Sequence, residues 1–151
     1  LLRRPRGHVD GTVVLQESAV TYAFVEEVLP RLDRDGISLW VYYVASAELF
    51  DLLPQERRDA LFPEERAREA MGITGFTLPT MDRWVRSSFG REKTLHPYRG
   101  GRYLGSGEGS AVLAEAGLDS EGQYRAIRSY VEARRAALGP FRSEPYRERG
   151  P

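Results

Sequence analysis

Residues 37–51, ISLWVYYVASAELFD, constrain the fold more than any other stretch of this chain. They open on eight residues rich in Ile, Leu, Trp, Val and Tyr, interrupted only by Ser38. A half-buried strand alternates apolar and polar residues, whereas an unbroken apolar run fits a strand covered on both faces. The character then changes within two residues. Ala45-Ser46-Ala47 is small and polar, and Glu48-Leu49-Phe50-Asp51-Leu52-Leu53 reads as a helical turn with Ser46 as its N-cap. A strand that runs directly into a helix is the seam of an α/β sheet, and open sheets place their functional crevices at such strand ends. The run is therefore expected to be the central strand, with the rest of the chain packed on it.

Upstream, residues 1–10 carry Arg3, Arg4, Pro5, Arg6 and Gly7 and read as an arm from a preceding domain. Without interleaved aromatics, the arginines suit a solvated linker better than a nucleic-acid contact. Thr12-Val13-Val14-Leu15 reads as a first buried strand. Ser18 is the expected cap of a helix over residues 19–32, in which Val25, Val28, Leu29 and Leu32 share one face. Pro30 is expected to kink or fray its last turn, and Gly36 to end it as a left-handed cap. Strand, helix and strand at this length form a right-handed βαβ unit with parallel strands.

Downstream, residues 54–61 predict a polar helix, 64–68 favour helix, and 70–76 predict a short third strand. Met81, Trp84 and Val85 predict a helix over 78–88, and residues 95–103 a further strand. A glycine-rich loop over 100–109 leads into a short helix over 110–116 that ends at Gly117. Ser120 with Gln123 three residues on is a capping-box pattern for a last helix, whose stripe is Tyr124, Ile127, Val131 and Leu138. Gly139-Pro140 stops it. The domain thus spans residues 11–139, followed by a loose tail over 140–151.

The chain has 151 residues, enough for one domain with a substantial core. Its formal net charge is zero, which gives no global pull toward nucleic acid or an anionic membrane. With no cysteine, thiolate nucleophiles, disulfides and Cys-based metal sites are excluded. No apolar run approaches the ~20 residues of a membrane helix and there is no signal-peptide pattern, so the expected setting is the cytoplasm. Lys93 is the only lysine among 22 basic residues, a coding bias rather than a functional signal, since the arginines are spread among matching acids.

The loop containing Gly105, Gly107, Gly109 and Ser110 invites a phosphate-binding reading, because glycines let backbone N–H groups approach an anion at a helix start. It lacks the lysine of a P-loop, has Ser110 where G-x-G-x-x-G needs its third glycine, and carries Glu108, which repels an anion. A structural turn is the better reading. His8 and His96 are the only imidazoles and have no metal-binding spacing. No serine lies in a G-x-S-x-G elbow, and no catalytic centre assembles from the sequence. Glu17, Ser46, Gly105, Gly107, Gly109 and Ser110 remain as candidates for a ligand or interface crevice at the strand ends.

The order of these features resembles the C-terminal domain of transketolase-like, thiamine-diphosphate-dependent enzymes. The resemblance rests on the first strand with Gln16-Glu17-Ser18 and its helix, on Gly36-Ile37, and on Ser46-Ala47-Glu48-Leu49-Phe50-Asp51, which is similar to the family's S-x-E-L-F segment. Residues 57–62 are similar to its short helix ending in Leu-Pro, and LAEAGLDSEGQYRAI over 113–127 to its closing pattern; the likeness covers about residues 11–136. The chain departs from the family where the usual Phe-Gly-x-Ser gives way to residues 105–110. It departs again at 72–75, which lack the acidic residue that ends the third strand, and at the insert over 83–101.

The resemblance implies a single three-layer α/β domain with a mostly parallel open sheet of about five strands, one antiparallel, and helices on both faces. It implies that thiamine diphosphate and magnesium bind on two preceding domains, matching the lack of a G-D-G element with a downstream Asn pair here. It further implies an accessory module that packs against those catalytic domains, contributes to a homodimer and has no turnover by itself. The alternative is a free-standing α/β module that binds a small ligand or phosphate.

Overall fold

The computed structural model describes residues 1–99, 101 and 108–138. Gly105, Gly107, Tyr103-Leu104, Gly139-Pro140, the tail and the Leu138 side chain lie outside the described residues. The fold is α/β, built on an open parallel sheet of three strands: β1 (Gly11–Gln16), β2 (Leu39–Val44) and β3 (Met71–Thr74). Their order is β2-β1-β3, with Val13 level with Val41 on one side and Met71 on the other. The central strand is therefore β1, not the long apolar run. That run forms β2 and still has two covered faces, because helices lie on both sides of the sheet. Leu39 and Val41 enter one apolar layer while Trp40 and Tyr42 enter the other. Unbroken apolarity reports burial of both faces, and an outer strand of a three-layer fold satisfies it as well as a central one.

The free side of β2 meets the N-terminal arm. Arg3 bridges Val41 in antiparallel sense, with backbone bonds in both directions. Arg3 also forms a two-pronged ion pair with Asp33, and the Arg6 N–H donates to Ser38 Oγ at 2.7 Å. On the far edge, Leu95 bridges Ile73 in parallel sense, which is what the expected strand over 95–103 amounts to among the described residues.

One face of the sheet carries α1, a continuous rod of Ser18–Ala23, the π turn Phe24–Val28 and Leu29–Arg34. Pro30 does not fray this rod. Proline lacks an N–H and its ring crowds the carbonyl four residues back; a wider π turn just ahead of it accommodates both. The Leu29 N–H accordingly reaches back five residues to the Phe24 carbonyl. Gly36, at φ +68°, ends the rod, and Ile37 N–H bonds the Leu32 carbonyl, as a left-handed cap requires. The other face carries α2 (Ala47–Asp51) and α3 (Gln55–Leu61), whose Phe50 and the following Phe62 pack with Trp84 and Met81. Next, α4 (Glu64–Glu69) leads into β3.

The helix expected over 78–88 is instead a 3-10 turn, Leu78–Met81, followed by α5 (Ser88–Lys93). Met81, Trp84 and Val85 are buried together as their spacing predicts. The break comes where Arg86 N–H leaves the helical pattern to bond the Ala67 carbonyl, and Ser87 then caps α5 through Gly90 N–H. The last two helices, α6 (Gly109–Ala116) and α7 (Ser120–Leu138), flank Gly117 at φ +68°. The cap of α7 is Asp119 rather than Ser120: its Oδ1 accepts from Gly122 N–H at 3.0 Å. Gln123 does not complete a capping box. It is fully buried, and its amide donates to the carbonyls of Val20 and Leu118 at 3.1 and 2.8 Å, tying α7 to α1. Tyr124, Ile127 and Val131 are buried as expected, joined by Tyr130. Each fully buried side chain of this size contributes ~1.5–3 kcal/mol through the apolar surface it removes from water.

Candidate functional site

In an open sheet the crevice forms where successive connections leave in opposite directions. The connection from β1 runs to β2 on one side, and the chain then returns to β3 on the other. The switch point is therefore the carboxyl end of β1 beside β3, at Gln16, Glu17, Thr74 and Gly75. Gln16 Oε1 accepts hydroxyl protons from Thr74 at 2.9 Å and Thr80 at 2.8 Å, while Thr74 Oγ1 accepts from Phe76 N–H. Thr74 is fully buried and occupies the end of β3.

Glu17 is the unusual residue. It sits at φ 85°, ψ 141°, the one non-glycine residue with positive φ among those described. Such a backbone costs on the order of 1–3 kcal/mol and persists only where its surroundings hold it. Here the helix start holds it. Its carboxylate accepts from Ala19 N–H at 2.8 Å and Val20 N–H at 3.1 Å, and its carbonyl from Thr21 N–H and Oγ1. The expected cap, Ser18, is already the first helical residue; the cap lies one position earlier. The carboxylate also lies against Gly75, where an added Cβ would come within 3.0 Å of Oε2.

Glu17, Gly75 and Gly109 line one cleft of about 560 Å³, closed opposite by Val112, Leu113 and Ala116 of α6 and by Pro97 and Tyr98. The structure thus brings Glu17 and Gly109 together. Ser110 is exposed on the first turn of α6 and Ser46 is elsewhere. Ser46 Oγ accepts from Leu49 N–H at 3.1 Å and donates to Glu48 Oε2, so it is the predicted cap of α2 and lines a separate apolar groove beside β2. His96, next to the cleft, has its pKa lowered, first by burial and then by the Arg99 charge.

A cleft of this kind can accept a small apolar or neutral molecule. It does not suit a diphosphate. Both oxygens of Glu17 already take the first N–H groups of α1, where an anion would bind, and the carboxylate would repel it. Among the described residues no group of three or more His, Asp or Glu side chains is placed to hold a metal ion. Among them too, no helix is long and apolar enough to cross a membrane.

Sequence reasoning missed two polar clusters at the opposite ends of the strands. Asp10, 4 % exposed, accepts from Ser38 N–H, Arg135 and the His8 ring. The Glu69 carboxylate accepts from Thr12 Oγ1, Arg66 and Arg134, while its carbonyl accepts from Tyr130 Oη. Apart from His8–Asp10 and Arg66–Glu69, these partners are far apart in sequence, and no local pattern announces them. No known protein family and no curated protein matches the chain.

Proposed function

We propose that the chain is a C-terminal accessory domain of a transketolase-like, thiamine-diphosphate-dependent enzyme, and that it assembles rather than catalyses. The observation that carries this reading is the state of the strand-end crevice. Among the described residues its one carboxylate, Glu17, is committed to capping α1. The sheet supports the same reading. Its three strands are all parallel, with isolated bridges at Arg3 and Leu95 on the two edges, which favours a mostly parallel open sheet. On this reading thiamine diphosphate and magnesium belong to preceding domains, and the whole enzyme is a cytoplasmic homodimer.

The test is calorimetric titration of the purified chain with thiamine diphosphate and magnesium, with ketol transfer assayed in parallel. Neither heat nor turnover is expected, and tight binding or turnover would overturn the reading. The cleft of about 560 Å³ favours a second one, a free-standing module for a small ligand. Saturable heat with a small neutral apolar probe such as indole in the same cell would support that alternative.

A further inference from the structure

A polar pocket of about 260 Å³ opens between α3, α4 and residues 83–86. Three aromatic rings line it: Phe50 and Phe62 each meet Trp84 edge to face, at centroid separations of 5.2 and 5.5 Å. It also carries three guanidinium groups, those of Arg58, Arg83 and Arg86, against the carboxylates of Asp59 and Glu64. It shares no lining residue with the strand-end cleft.

The acids at this pocket are already divided among its cations. Arg83 takes both oxygens of Asp51 in a two-pronged ion pair and lies over the Phe50 and Trp84 rings, which fixes it in place. Glu64 is shared between Arg86 and Arg68. Asp59 accepts from the Gln55 amide at 2.6 Å. The hydrogen bond from Arg83 is what chiefly holds the Asp51 carboxyl below its usual range, and that from Arg86 does the same for Glu64. Both acids are thus spent on arginines other than Arg58.

Arg58 is the cation left short. It donates to the Gln55 side-chain oxygen at 2.7 Å but reaches Asp51 only at 3.5 Å, and its Nε is buried with no acceptor among the described residues. A buried donor without an acceptor is costly, more so on a charged group. The side chain as a whole is 29 % exposed, so the pocket gives access to it from solvent. Two guanidinium forks facing one small pocket suit a planar or tetrahedral oxyanion, which accepts from each of them.

We infer that this pocket binds a small oxyanion, a carboxylate or a phosphate group, held between Arg58 and Arg86 while Arg83 stays on Asp51. The anion supplies the acceptor that Arg58 lacks and competes with Glu64 for Arg86. This goes beyond the accessory-domain reading and does not rest on it, since it gives the domain a ligand without giving it a reaction.

The experiment titrates the isotopically labelled chain with sodium malonate, with sodium phosphate and, at matched ionic strength, with sodium chloride. The Nε–H resonances of Arg58 and Arg86 and the indole N–H of Trp84 are followed. The expected result is saturable movement of all three with malonate or with phosphate, the tighter of the two naming the chemical source, and none with chloride. Arg58→Met and Arg86→Gln should each weaken binding roughly tenfold or more, as loss of one charge-assisted partner requires. Glu64→Gln removes the competing acid at an exposed position and should tighten binding several-fold. No saturable movement with either oxyanion, or movement that chloride reproduces, overturns the site. Binding that Glu64→Gln weakens or leaves unchanged overturns it as well, and this variant decides the matter even if Arg58→Met does not fold. An unmoved Val14 amide resonance in β1 shows that each variant keeps its fold.

Discussion

The Tyr130 hydroxyl offers the sharpest test of how this fold is held. Tyr130 projects from α7 to the start of the gap between β1 and β3. Thr12 N–H points toward β3 but lies before the strand begins at Met71, so no ladder partner faces it. Tyr130 Oη fills that place: it accepts from Thr12 N–H at 3.1 Å and donates to the Glu69 carbonyl at 2.6 Å. Tyr130 and Thr12 are both fully buried. Tyr130→Phe keeps the ring and leaves Thr12 N–H without a partner or a route to water. A buried orphaned donor costs about 1–3 kcal/mol and the lost bond to the Glu69 carbonyl ~0.5–1.5 kcal/mol, together about 1.5–4.5 kcal/mol. In urea this lowers the unfolding midpoint by about 1 M with an unchanged slope.

The same residue gives an alkaline signature. Burial pushes the Tyr130 pKa up from 10.0 to about 12. Its folded pKa lies above its unfolded one, so its contribution is whole below pH 10. It is lost as the pH rises toward 12, because the unfolded chain gives up the proton first. The loss amounts to about 2 kcal/mol by pH 12. Tyr42 is also shifted upward by burial, so wild type and Tyr130→Phe must be compared over the same range. The difference between them should shrink from pH 9 to pH 12. A Tyr130→Phe variant within about 0.5 kcal/mol of wild type, or a difference that does not change with pH, would refute the bridging role.

At Glu17, two substitutions separate the cap from the strain. Glu17→Ala removes the cap, worth ~1 kcal/mol, and keeps the unfavourable backbone, whereas Glu17→Gly removes both. Glycine should therefore be the milder change by about 1 kcal/mol in thermal or urea unfolding, and equal losses would show that positive φ carries no cost there. Gly90→Ala tests packing against propensity. Alanine is favoured in a helix by ~1 kcal/mol, but its Cβ would strike the Ala70 carbonyl oxygen and crowd Val85 at 2.9 Å. Net destabilisation of about 1–3 kcal/mol is expected, and a stabilised variant would mean that α5 can move off β3 without cost.

What could be read in the sequence was whatever depends on near neighbours. The two faces of β2, the caps at Ser46 and Gly36, and the burial of Met81, Trp84 and Val85 all follow from residues within a few positions of one another. Strand order does not. The run LWVYYV is the more apolar, yet the return of the chain to β3 makes GTVVLQ central. The site failed for a related reason. Serine is the commoner cap, so a cap one residue earlier, on a glutamate in a backbone region that favours glycine, has no favourable local signature. It exists because β1 must end, turn and start α1 within a single residue beside Gly75, and because the carboxylate then satisfies two N–H groups that nothing else reaches. The residue that most resembles a functional group at the switch point is thus consumed by the geometry of the switch itself. That shifts the search for this chain's role from the crevice to the apolar surface around β2.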